Sequence, residues 1–254
     1  HRPVTSVVDL GAGTGSGTLA LARRYPEARV TAVDRSPEML DRVGAAARAA
    51  DVATRVVSEW DDLDPAPTPT APSTRAWDVP ASADLIWAAS SLHECADPDA
   101  VLRRAADALR PGGTVAIVEF VGFPRFLDGT AGQAELRCHD ALSRLGWNRY
   151  PDWTAQLEAA GLAVLHTVDF TDTPTDASTA AVERCARLQL GRIRSALSDA
   201  QGSRDGHTSD DSPDSSIETS RDVAVLDELL AQDPLPADIL RPALTQRVWI
   251  AHKP

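Results

Sequence analysis

The chain has 254 residues, 43% of them hydrophobic, and carries 25 basic against 37 acidic side chains, a formal charge of −12. That length allows one large domain with a substantial core, and the acidic balance disfavours general binding to phosphate backbones. No apolar run reaches the ~20 residues of a membrane span, no signal-peptide pattern is seen, and the cysteines Cys95, Cys138 and Cys185 are too scattered for a metal centre. The expected setting is therefore cytoplasmic, with reduced thiols, no metal, no membrane and no nucleic acid as partner.

In chain order, Val4 to Leu10 reads as a buried strand, followed by a glycine-rich turn and a helix from about Ser16 to Arg24. Arg29 to Val33 is a second strand. Ser36 to Ala50 reads as a helix, with Ser36 as N-cap, Pro37 at its first position and Glu38 in its first turn. Thr54 to Val57 is a third strand, and the Pro/Thr/Ala/Asp-rich stretch 61–82 reads as a surface loop or insertion. Ala83 to Ala89, a helix over Pro98 to Leu109, a Pro111-Gly112-Gly113 turn and the apolar strand Thr114 to Phe120 complete the alternation.

The second half is less regular. Ala131 to Leu145 and Trp153 to Ala160 read as helices, and Leu162 to Phe170 as a strand. Ala177 to Ala200 is a long amphipathic helix with Val182, Cys185, Ile193 and Leu197 towards one side. Ser/Asp/Gly-rich residues 201–221 are expected to be disordered; a short helix over 222–231 and a last strand over 247–252 follow. Repeated strand–helix–strand units imply an α/β, Rossmann-like, doubly wound and mostly parallel sheet with helices on both faces, whose ligand lies at the carboxyl ends of the strands.

The turn Asp9-Leu10-Gly11-Ala12-Gly13-Thr14-Gly15 joins strand to helix, where glycines let the backbone approach a ligand and the helix offers free N–H groups. The dinucleotide spacing G-x-G-x-x-G/A fails from Gly11 at Ser16 and from Gly13 at Thr18; it fits only from Gly15, inside the helix. Asp34 closes the second strand about 20 residues further on, where a carboxylate can accept both ribose hydroxyls of any such cofactor. The string VVDLGAGTGSGTLALA resembles motif I of the class I S-adenosylmethionine-dependent methyltransferases. VDRSPEML and the run from Asp84 through Leu92-His93 to Asp97-Pro98 and LRPGG resemble the same family, in the small-molecule group that includes quinone-biosynthesis and trans-aconitate methyltransferases. The resemblance covers about Thr5 to Phe120.

It implies a single 1–254 methyltransferase domain with a seven-stranded sheet, an antiparallel last strand, and substrate-cover insertions at 121–160 and 171–243. S-adenosyl-L-methionine is the implied cofactor, held by Asp9, Gly11, Ala12, Gly13, Gly15, Asp34, Arg35, Met39, Ala88 and Ser90. After the third strand the family often carries Gly-Asp. Here Glu59-Trp60-Asp61 departs from it, with Asp61 assigned to the adenine amino group and Trp60 to its face, or both to a solvated acidic loop. His93 is either a general base or a packed loop residue. Glu119 either anchors substrate or binds a nearby backbone amide, and Trp147, Tyr150 and Trp153 either line an aromatic pocket or pack in the core. Arg184, Arg187, Arg192 and Arg194 either meet an anionic substrate or form a solvated helix face. The implied activity is methyl transfer to a small organic acceptor at O or N; a non-catalytic cofactor-binding subunit and an NAD(P)-dependent oxidoreductase are the alternatives.

Overall fold

In the computed structural model, the described residues are 3–64, 77, 79–146, 152–173, 178–204 and 213–254. They divide into two compact units: residues 1–120, 151–169 and 247–254, and residues 121–150 and 170–246.

In the first unit, β1 (Ser6–Leu10), β2 (Arg29–Asp34), β3 (Val56–Trp60), β4 (Ala83–Ala89) and β5 (Leu109–Phe120) form a parallel sheet in the order β3-β2-β1-β4-β5. These are β-branched and apolar segments. Val7, Val8, Val30, Val33, Ile86 and Ile117 are almost wholly buried, as expected of strands covered on both faces. The crossovers are α1 (Ser16–Arg24), α2 (Pro37–Ala49) and α3 (Pro98–Ala108). The Ser36 hydroxyl caps α2 by accepting from the Met39 amide, and Asp97 caps α3 by accepting from the Ala100 amide, each with Pro at the first helical position. Strand order reverses between β1 and β4, so the topological switch point lies at their carboxyl ends.

The Pro111-Gly112-Gly113 turn is a bulge within β5. Ala83 pairs with Leu109 and Leu85 with Thr114, so extra residues are looped out between them. Gly112 and Gly113 exchange backbone bonds with Lys253 at 2.8 and 2.9 Å, which sets the end of β8 (Leu240–His252) antiparallel beside β5. β7 (Ala163–Asp172) pairs with β8.

The expected mostly parallel sheet with an antiparallel last strand is present, but among the described residues it counts eight strands rather than seven. The addition is β6 (Arg125–Leu127), three residues and too short for a periodicity to reveal. The stretch 61–82 is not merely a surface loop. Leu63 and Trp77 are buried in the main core with Ile86, Leu102 and Trp249, because a Trp large enough to fill the core was embedded in a Pro-rich context.

In the second unit, α4 (Gly129–Arg144), α6 (Thr179–Arg204) and α7 (Pro213–Leu230) surround a core that includes Cys138, Leu142, Leu190, Ile193, Leu197 and Leu226. The buried face of α6 follows Ala186, Leu190, Ile193 and Leu197. Cys185, read as part of that face, is exposed. Residues 201–204 and 213–221, expected to be disordered, are helical; the apolar face of α7 offsets their polar composition, with Val223, Leu226 and Leu229 buried. Arg137 grips the buried Asp222 in a fork, its Nε and Nη2 donating at 2.6–3.1 Å. Arg187 pairs with Glu183 and the Leu230 carbonyl, and Arg194 with Asp227. Two of the four α6 arginines are therefore neutralised within the unit. Among the described residues no helix is long and apolar enough to cross a membrane.

Candidate functional site

The site grows from the carboxyl ends of β1 to β4. At the end of β1 the amides of Gly11 and Ala12 both donate to the Val33 carbonyl at 2.9 Å, and Gly15 donates to Ala12. Gly11, Gly13 and Gly15 all adopt positive φ, at 71°, 51° and 91°. Their reasons differ. A Cβ on Gly11 would stand 2.4 Å from the Ser91 Cβ, so only glycine lets the β4 loop pass this close. A Cβ on Gly13 would meet nothing within 4 Å: the space above it is open. Gly15 is the left-handed N-cap of α1.

Asp9 lies behind this turn. It is 2% exposed, accepts the Thr18 hydroxyl at 2.6 Å, and burial pushes its pKa up to about 6. It ties strand to helix and does not line the pocket. Ala12 packs against Ala32 and Val43.

Asp34 sits at the end of β2. Its two oxygens accept the amides of Gly13 and Ser36, each at 2.8 Å. A carboxylate offers about four acceptor positions, so a diol can still be accepted here. A cavity of about 250 Å³ opens beside it. Gly11 and Gly13 line it from the turn, Asp34 and Arg35 from β2, residues 61–64 from the segment after β3, and Ser90, Ser91, Glu94 and Cys95 from the segment after β4. Its wall holds Asp34, Asp61, Asp62, Asp64 and Glu94 against the single cation Arg35, which itself stands 3.9 Å from Glu94.

Residues 8–115, from β1 to the start of β5, match the methyltransferase domain family model. Over that stretch the chain is similar to the methyltransferase domain. The chain is 35% identical over 118 residues to 27-O-demethylrifamycin SV methyltransferase of Amycolatopsis mediterranei, covering 46% of this chain and 39% of that protein. It is 39% identical over 112 residues to trans-aconitate 2-methyltransferase of an Azoarcus species, covering 44% and 38%. The aligned region thus spans about two fifths of the length of these relatives. A solved structure of a candidate methyltransferase from Bacillus halodurans shares the fold, with TM-score 0.59 at 14% identity, covering 100% of this chain and 94% of that one.

S-adenosylmethionine is the cofactor of this family, and the residues present fit it. It carries a sulfonium and an ammonium against one carboxylate, a net cation, and the cavity beside Asp34 has an acidic wall. The open face above Gly13 leaves room for the ligand to approach the turn.

Beyond the pocket, the 3-10 turn Leu92–Glu94 carries His93, whose side chain is 20% exposed. Its Nδ1 is 2.8 Å from Glu119 Oε2, and its Nε2 is 3.5 Å from Glu94 Oε1. The hydrogen bond that His93 makes to Glu119 raises the His93 pKa above its ordinary value, opposed by burial. Glu119 is 1% exposed, and its Oε1 accepts the amides of Ser91 and Leu92 at 3.0 and 2.9 Å. Of the two readings of Glu119, the structure shows the backbone anchor: its carboxylate is taken up by internal partners.

Several expected contacts lie elsewhere. Asp61 does border the cavity but is fully buried, accepting the Trp77 indole at 2.8 Å and the Arg104 guanidinium at 3.2 Å. Trp60 is 58% exposed and donates to the Arg35 carbonyl, away from the cavity wall. Met39 serves through its amide as the α2 cap donor, and Ala88 is buried within β4. Trp147 and Tyr150 lie outside the described residues. Sequence reasoning missed Asp62, Leu63, Asp64, Glu94 and Cys95. Only their neighbourhood to β3 and β4 could have signalled them, since loop residues carry no periodicity.

Proposed function

We propose that this chain transfers a methyl group from S-adenosylmethionine to a small organic acceptor, at oxygen or nitrogen. The observation that carries the reading is the acid-walled cavity at the switch point, open above Gly13 and closed at one side by Asp34. In this reading the remaining acceptor positions of Asp34 take the ribose hydroxyls. The turn from Gly11 to Gly15 holds the methionine part. Asp62 takes the adenine amino group in place of Asp61, whose carboxylate serves Trp77 and Arg104.

The bound cofactor supplies an already activated methyl group. The protein's own share is then to orient the acceptor, exclude water and manage the acceptor's proton. Residues 121–160 and 171–243 supply the acceptor-binding part in this reading. A net charge of −12 supports a small molecule over a nucleic acid as acceptor, and the named relatives act on small molecules. Three free cysteines accord with a cytoplasmic setting.

Calorimetric titration with S-adenosylmethionine, S-adenosylhomocysteine and NAD(H) tests the proposal. Micromolar binding of the first two without NAD(H) is expected. Binding of NAD(H) alone, or of none, overturns it.

A further inference from the structure

Glu119 and His93 form a pair that cofactor binding alone does not require. Glu119 projects from the end of β5 and is wholly buried, yet its two oxygens are divided between two tasks. Oε1 accepts the amides of Ser91 and Leu92, which open the 3-10 turn, and so sets where that turn sits. Oε2 meets Nδ1 of the histidine on the same turn at 2.8 Å. One carboxylate therefore fixes both the backbone that carries His93 and the rotation of its ring. The edge of the Phe120 ring, 6.0 Å between centroids, packs the other side.

We propose that Glu119 is a positioning residue that holds a proton on His93 Nδ1 and leaves Nε2 as the nitrogen that takes up and returns a proton at this site. A carboxylate only accepts, so the imidazole nitrogen facing it must be the donor. The neutral ring then has its lone pair on Nε2. The His93 side chain is 20% exposed, and its neighbours Ser91, Glu94 and Cys95 line the cavity.

The charged groups around the ring are Glu119 from β5, Glu94 from its own turn and, through Glu94, Arg35 after β2. Two carboxylates against one more distant guanidinium favour the imidazolium, which agrees with the upward shift of the His93 pKa. The role in catalysis rests on the methyl-transfer reading above. An acceptor O–H or N–H gives its proton to Nε2, the acceptor lone pair forms the new bond to the methyl carbon, and the carbon–sulfur pair returns to sulfur.

The test needs no acceptor. In the 254-residue chain labelled with 15N-histidine, long-range 1H–15N spectra recorded from pH 5 to 9 report which ring nitrogen is protonated; His93→Gln assigns the signal. The wild-type protein is expected to show the neutral ring protonated at Nδ1 and to titrate above the ordinary histidine value. Glu119→Gln keeps a carbonyl for the Ser91 and Leu92 amides but turns an N–H towards Nδ1. It is expected to move the proton to Nε2 and lower proton affinity about tenfold or more, one pKa unit. S-adenosylhomocysteine affinity should change less than about twofold in both variants, given that one bond of ~1 kcal/mol would already change it about fivefold. A wild-type neutral ring protonated at Nε2 overturns the proposal without any variant, and so does Glu119→Gln titrating like wild type. Failure of the wild-type chain to bind S-adenosylhomocysteine overturns the cofactor reading instead, and the spectra still decide the role of Glu119.

Discussion

Glu119 in the first unit and Glu135 in the second are both buried, and each accepts the amides of two successive residues. Glu119 takes Ser91 and Leu92 at the start of a 3-10 turn, and Glu135 takes Phe126 and Leu127 in β6. The difference lies in the second oxygen. Both oxygens of Glu135 are spent on backbone, and burial pushes its pKa up to about 7. Glu119 reserves one oxygen for a half-buried histidine. The same local device thus pins chain in one unit and aims a titratable ring beside a pocket in the other. A buried carboxylate is a functional candidate only once its remaining acceptor atom is known to face chemistry.

That contrast can be broken in order of effect. Glu135→Ala strands two buried amide donors and should cost about 2–4 kcal/mol of stability in urea unfolding; a cost near zero would mean that β6 does not depend on it. Glu135 also sets a pH dependence. Its folded pKa lies above its unfolded one, so its contribution is fully present below pH 4.5 and is lost as pH rises through about 7. Glu135→Gln should flatten that slope in thermal melts recorded from pH 4 to 8, and an unchanged slope would assign it to other groups. On the cofactor side, Gly11→Ala combines positive φ with a Cβ 2.4 Å from Ser91, and should weaken S-adenosylhomocysteine binding about tenfold to a hundredfold by calorimetry. Asp34→Ala removes the acceptor of the Gly13 and Ser36 amides and should weaken it about tenfold. Affinity unchanged in both would separate the turn from cofactor binding altogether.

The first unit was legible because its signals are local. Strand periods, the Ser36-Pro37 cap and the alternating glycines each act within a few residues, and each stands where it was read. The second unit was less legible. Its helices bury faces against one another rather than against a sheet. Cys185 was therefore put on the wrong side of α6, and the start of α7 looked like disordered chain until Val223, Leu226 and Leu229 found partners.

Local composition and spacing determined the parallel α/β frame, the turn after β1 and Asp34. Only the tertiary structure decided that Asp9 stands behind the turn, that Asp61 serves Trp77 and Arg104 while Asp62 faces the cavity, and that Glu119 holds His93. Those assignments depend on which carboxylate oxygens remain after residues 16 to 43 positions apart have met. The energy of a buried charge is set by those distant partners and not by its neighbours in sequence.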